Sequence, residues 1–171
     1  VFSRNGQTEG VFLTVAPNGQ PYLRVMQYPS SMITSTTTDR GVTWEPVNLP
    51  AGRGGLAFGP NNVVCVSSPT NFQISTDAGS TWQKYPAVVA NYGGELMVRR
   101  NGDIVYYIPT GGGLWTSSNN GASFTNVNPF NAYPYHVKVM EGADGHLYSL
   151  VQERGGVLGD APSRLMRSTD G

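Results

Sequence analysis

One eight-residue signature, Ser/Thr-x-Asp-x-Gly-x-Thr-Trp, recurs along this chain and leaves few folds open to it. Three ungapped copies read Thr37-Thr38-Asp39-Arg40-Gly41-Val42-Thr43-Trp44, Ser75-Thr76-Asp77-Ala78-Gly79-Ser80-Thr81-Trp82 and Ser117-Ser118-Asn119-Asn120-Gly121-Ala122-Ser123-Phe124. A fourth opens at Ser168-Thr169-Asp170 and reaches Gly171. Their first positions lie 38, 42 and 51 residues apart, a period that marks one supersecondary unit stacked repeatedly. The chemistry is that of a hairpin turn. Asp or Asn, and the Ser or Thr hydroxyl, accept hydrogen bonds from nearby backbone N–H groups. Glycine at the fifth position takes positive φ without steric cost. The closing Trp or Phe offers a large apolar surface to a neighbouring sheet.

Between these turns one order of strands returns. First strands read Val11 to Val15, Gly55 to Phe58, Glu95 to Val98 and His136 to Met140. Hairpin formers follow: Pro17-Asn18-Gly19, Pro60-Asn61-Asn62, Asn101-Gly102-Asp103 and Ala143-Asp144-Gly145. Second strands come next, at Tyr22 to Met26, Val63 to Ser67, Ile104 to Ile108 and Leu147 to Gln152. A third strand then leads into the signature and a fourth leaves it. This is the four-stranded antiparallel blade of a β-propeller, in an all-β chain with about three and a half blades. They are expected at roughly 11–48, 54–86, 94–128 and 134–171, the last incomplete. A blade cannot bury both faces alone, and propellers close with about four to eight. Missing blades from a longer chain, or from other subunits, are therefore expected.

Composition agrees and narrows function. Charged residues are only 13%, with 22 Gly and 12 Pro, as short strands joined by tight turns require. Eleven basic side chains balance eleven acidic ones, so no global field draws the protein to nucleic acid or an anionic membrane. No apolar run approaches the roughly 20 residues of a membrane span. Cys65, the single cysteine, lies in an apolar run and reads as a small buried hydrophobe, which excludes an internal disulfide and a cysteine metal cluster. Phosphate loops, dinucleotide fingerprints and nucleophile elbows are absent, and no cofactor is called for.

The repeated acids Asp39, Asp77 and Asp170 sit in separate blades and cannot converge on one substrate. With Asn119 at the matching position, a hydrogen-bond acceptor suffices there. The structural set is Thr37, Asp39, Gly41, Trp44, Ser75, Asp77, Gly79, Trp82, Ser117, Asn119, Gly121, Phe124, Ser168 and Asp170. Function is expected on the opposite face, where outer-to-inner and second-to-third connections emerge. Tyr92, Phe130, Tyr133 and Tyr135 can stack on sugar rings there, and Asn71, Asn91 and Asn131 can meet hydroxyls. Arg53, His136 and Arg154 are further ligand candidates. A glycosidase needs two carboxylates about 5–10 Å apart, and Glu95, Glu153 and Asp160 are the candidates. His136 has no partner at metal-ligand spacing, and His146 falls beside a turn at the other end of the blade, so no metal site is expected. Arg99-Arg100, the one basic pair, reads as a solvated turn.

The signature resembles the Asp-box, or bacterial neuraminidase, repeat of sialidases, sortilin-like sorting receptors, a photosystem assembly factor and twin-propeller xyloglucan hydrolases. Val63-Val64 through Ile74-Ser75-Thr76-Asp77, with Gly102-Asp103-Ile104 and Gly113-Leu114-Trp115-Thr116-Ser117, looks most like the xyloglucanase group. Sialidases carry an Arg-Ile-Pro that does not occur here, and the loop arginines Arg53 and Arg154 lack its surroundings. The resemblance implies an extracellular or cell- or virion-surface protein that recognises a glycan, either within a glycoside hydrolase or as a glycan-binding fibre. The alternative it implies is a non-catalytic scaffold gripping a protein partner.

Overall fold

The computed structural model describes residues 8–27, 31–50, 52, 54–88, 94–108, 113–127, 136–152 and 163–168. It is all-β, and its four antiparallel sheets are arranged as a four-blade propeller. Blade 1 is β1 (Thr8–Val15), β2 (Pro21–Gln27), β3 (Ser31–Thr36) and β4 (Glu45–Pro46). Blade 2 is β5 (Leu56–Phe58), β6 (Val64–Ser67), β7 (Asn71–Ser75) and β8 (Gln83–Pro86). Blade 3 is β9 (Glu95–Val98), β10 (Ile104–Ile108), β11 (Gly113–Ser117) and β12 (Thr125–Asn126). Blade 4 has three described strands, β13 (His136–Glu141), β14 (Leu147–Gln152) and β15 (Ser163–Arg167). Each sheet is a meander in sequence order. The first strands of successive blades neighbour one another, β1 beside β5, β5 beside β9 and β9 beside β13, which places them innermost.

Local chemistry sets these boundaries. The β5–β6 hairpin turns through Asn61 and Asn62 at φ 54° and 63°, the two consecutive left-handed residues that a tight hairpin matching strand twist requires. Asparagine tolerates that region better than most side chains. The second strands β6 and β10 are buried along their whole length, because each lies mid-sheet with another blade against both faces. This explains their unbroken apolar runs, where a half-exposed strand would alternate.

The core is three sandwiches between blades. Tyr22 of blade 1 packs on Leu56, Val64 and Val66 of blade 2, and its ring lies 4.4 Å from Phe58. Cys65, Phe72 and Ile74 of blade 2 meet Ile104, Leu96, Val98 and Phe124 of blade 3. Val105, Tyr107, Leu114 and Met97 of blade 3 receive Leu147, Val151 and Val139 of blade 4. At about 25 cal/mol per Å² of apolar surface, a side chain the size of Phe72 contributes about 2–3 kcal/mol when fully buried. Neighbouring blades hold one another up.

Candidate functional site

The repeated signature and its opposite face are built by different means. In the first turn the Thr37 hydroxyl donates to Asp39 Oδ1 at 2.7 Å and accepts the Gly41 N–H at 2.9 Å. Asp39 accepts the Thr43 N–H at 2.9 Å and the Thr43 hydroxyl at 2.6 Å. Ser75, Asp77, Gly79 and Thr81 repeat every one of these contacts, and the Trp82 indole N–H closes the turn on the Gly79 carbonyl at 3.0 Å. In the third turn Asn119 Oδ1 takes the Ser117 hydroxyl and the Ser123 N–H, while its amide donates to the Ser123 hydroxyl at 2.8 Å. One hydrogen bond thus runs in reverse and the turn survives. These bonds hold the Asp39 and Asp77 carboxyls down at about 2. For both acids the partners are local hydroxyls and N–H groups, the serine or threonine hydroxyls foremost. Ser168 enters the fourth copy by donating its N–H to the Leu147 carbonyl. Asp170 lies outside the described residues.

These turns use two left-handed residues, where sequence reasoning assigned one. Arg40, Ala78 and Asn120 precede the glycines at φ 61°, 59° and 55°. Nothing about Arg or Ala signals that conformation. It is imposed by the side-chain hydrogen bonds around it.

On the opposite face, the start of β9 meets β13. The Glu95 carboxylate takes a hydrogen bond from Lys138 Nζ at 3.1 Å. Leu96, Met97, Val105, Tyr107 and Val139 line the cleft beneath. Burial, helped by the Glu95 charge, pushes the Tyr107 phenol up to about 12, so it stays neutral. The cleft is half open and holds about 20 Å³, room for a water and not for a sugar ring.

Beside it runs a polar strut that the sequence did not reveal. Arg24, on β2, is almost wholly buried and donates to the Gly54 carbonyl at 2.7 Å and the Gly52 carbonyl at 2.8 Å. Burial lowers its pKa to about 10, which leaves it charged at neutral pH. Gly54 and Gly55 bond to Ser67, whose hydroxyl donates to the Gly94 carbonyl at 3.2 Å. Gly55 N–H also reaches that carbonyl, at 2.6 Å. A Cβ on Gly94 would lie 2.1 Å from the Tyr107 carbonyl oxygen, so backbone approach at this level demands glycine. Three blades are tied together at the end of the sheets opposite the signature turns.

Of the expected ligand and catalytic residues, Glu95 stands at the cleft. His136 begins β13 beside Gln152 in the ladder. Arg53, Tyr92, Tyr133, Tyr135, Glu153, Arg154 and Asp160, with Asn91, Phe130 and Asn131, lie outside the described residues. Asn71 is buried, with its amide spent on Thr70 and Gln73, and does not face a ligand. Arg99-Arg100 is a solvated turn only in part, since Arg100 keeps a side chain 60% exposed. Arg99 is largely buried and donates to the Gly145 carbonyl at 3.0 Å, Arg100 donates to the Gly142 and Ala143 carbonyls, and both pair with Glu141. The pair clamps blade 3 onto the first turn of blade 4. Sequence reasoning missed it because the partners are mainly carbonyls, which no residue name announces. Among the described residues no His, Cys, Asp and Glu gather as a metal site, and no helix is long and apolar enough to cross a membrane.

No protein-family model and no curated protein matches the sequence. Solved structures do. A protein of unknown function from Dyadobacter fermentans superposes with a TM-score of 0.71 at 17% identity, over 95% of this chain and 62% of its own. An α-L-arabinanase from Penicillium chrysogenum, complexed with arabinobiose, gives 0.64 at 14%, over 95% and 63%. A GH74 enzyme from Niastella koreensis gives 0.63 at 21%, over 92% and 28%. The chain spans less than two thirds of each of these three. A sialidase from Trypanosoma rangeli and a virginiamycin B lyase from Staphylococcus aureus share the arrangement, each at a TM-score of 0.58. At these identities the likeness is one of fold.

Proposed function

We propose that this chain is a carbohydrate-recognising propeller of the Asp-box type, part of a secreted or surface glycoside hydrolase or glycan-binding fibre. The glycan lies across the face opposite the signature turns, and the remaining blades come from a longer chain or from other subunits. The observation that carries this is the cleft of Glu95, Lys138 and Tyr107 at the junction of two innermost strands. There the part-exposed Glu95 and Lys138 present an acceptor and a donor together beside a rigid strut, above the buried Tyr107 ring. Sugars are bound by hydroxyl-directed polar groups of this kind together with flat apolar surface, which the loop tyrosines are expected to supply. The expected ligand residues Arg53, Tyr92, Tyr133, Tyr135, His136 and Arg154 extend the site, and Glu153 and Asp160 are the acids to test beside Glu95. Structural neighbours that are an arabinanase, a GH74 enzyme and a sialidase support the carbohydrate theme. The signature residues, Asp39 and Asp77 first among them, serve as blade staples.

The water-sized cleft favours one second reading, a non-catalytic scaffold that docks a protein on a broad surface. A glycan array, followed by hydrolysis assays on xyloglucan, other β-glucans, arabinan and sialosides, separates the two. The first reading expects glycan binding that Glu95→Gln weakens at least several-fold, with a loss of stability no larger than the ~0–1 kcal/mol of an exposed ion pair. If no glycan binds while a protein partner is held stably, the carbohydrate reading is wrong.

A further inference from the structure

The acid of the cleft is the last rung of its ladder. Glu95, at the start of β9, pairs with Tyr107, and the peptide plane that enters it carries the Gly94 carbonyl. That oxygen accepts the Gly55 N–H at 2.6 Å and the Ser67 hydroxyl at 3.2 Å. The same hydroxyl accepts the Gly55 N–H at 2.8 Å. Both lone pairs of the carbonyl are thereby engaged from blade 2. The fit around Gly94 is close on its other sides as well, since a Cβ there would lie 2.7 Å from Tyr106 Cε2.

Ser67 ends β6 after Val64, Cys65 and Val66, and it is fully buried. A hydroxyl so placed costs desolvation that only its hydrogen bonds offset. The preceding blade shows what the position does. Three residues before the signature, Thr34 pairs with Arg24 in blade 1 and Phe72 pairs with Ser67 in blade 2, so Arg24 and Ser67 share one register. Arg24 grips the Gly52 and Gly54 carbonyls ahead of blade 2, as Ser67 grips the Gly94 carbonyl ahead of blade 3. Two unlike side chains at one place hold the backbone that enters the next blade.

We propose that Ser67 is a positioning residue for Glu95, fixing through the Gly94 carbonyl the direction from which the carboxylate meets a bound sugar. Ser67 itself, at zero exposure, touches no ligand. That a sugar is what Glu95 meets rests on the carbohydrate reading above, whereas the coupling of Ser67 to Glu95 rests on geometry.

The NMR resonance of the Glu95 carboxylate carbon, read in the sugar-free protein, tests the coupling directly. Ser67→Ala is expected to move it, while the Asp77 carboxylate resonance, at the opposite end of blade 2, stays in place. Arabinobiose and a xyloglucan oligosaccharide, titrated by calorimetry, are the binding probes. The wild type is expected to bind at least one of them, and Ser67→Ala to weaken that binding several-fold. In a Glu95→Gln background the same substitution is expected to weaken binding no further, although its cost in thermal stability persists. Lost packing alone would weaken binding equally in both backgrounds. Should Ser67→Ala not fold, Ser67→Cys, whose thiol is a weak donor, carries the same test. A Glu95 resonance unmoved by the substitution, or equal losses of binding with and without Glu95, overturns the proposal. Binding of neither sugar by the wild type counts against the carbohydrate reading instead, and the resonance then decides the positioning by itself.

Discussion

The junction between blades 2 and 3 and the junction between blades 3 and 4 join the same kind of sheets by different physics. The first is closed by contact. A Cβ on Gly59 would lie 2.3 Å from Val98 Cγ1 and one on Gly121 would lie 2.2 Å from Phe72 Cε1, and Phe72 meets Phe124 edge to face at 5.2 Å. The second has an apolar cluster but is also bridged by charge, Arg99 and Arg100 to Glu141 on one side and Lys138 to Glu95 on the other. Close packing is intolerant of added atoms and indifferent to salt. Ion pairs tolerate volume but respond to ionic strength and to the loss of a partner. The two seams should therefore fail under different insults.

The largest effect is expected at the packed seam. Gly121→Val adds both a clash with Phe72 and a β-branched residue at φ 77°, and should cost about 3 kcal/mol or more in urea unfolding. Gly102→Val is its control: φ is 94° but no atom lies within 4 Å of the new Cβ, so backbone strain of about 1–2 kcal/mol should be all that appears. Equal losses in the two variants would remove the packing half of the comparison. At the charged seam, Glu141→Ala strips the carboxylate from a largely buried Arg99, leaving it the Gly145 carbonyl, and should cost about 2 kcal/mol. Added salt should narrow the gap to wild type, and a gap unmoved by salt would mean that this seam, too, is mainly packing.

Smaller effects test the turns that frame both seams. Gly79→Val at φ 92°, with Trp82 as the nearest neighbour at 3.5 Å, should cost about 1 kcal/mol or more. Last comes acid. Asp39 and Asp77 have folded pKa values of about 2, below the roughly 3.9 of an unfolded chain. Their contribution is thus complete above about pH 4 and is lost as pH falls towards 2. Asp39→Asn combined with Asp77→Asn should flatten that part of the pH–stability curve and leave the fold intact, as Asn119 already does in the third turn. An unchanged acid limb would show that other carboxyls govern it.

These contrasts also show where sequence reasoning reaches. The signature and the hairpin formers revealed the blades because turn chemistry is local: an acceptor at Asp39 and a glycine at Gly41 act within a few residues of themselves. Arg24 was illegible, since its partners are the carbonyls of Gly52 and Gly54, about thirty residues away and chemically anonymous. Arg99 and Arg100 failed for the same reason. Arg40 and Ala78 failed because left-handed backbone was forced on them by neighbours. The Glu95 cleft was half legible: the acid could be named, but its Lys138 partner required the closing of one blade on the next.

Cys65 sits at zero exposure within the packed seam, and burial pushes its thiol up to about 12. It is therefore inert to alkylating reagents while blades 2 and 3 stay together and becomes reactive once they part. As the one thiol in the chain, it is a built-in clock. The rate at which it is trapped counts how often that seam breathes, with no probe to attach and no side chain to change.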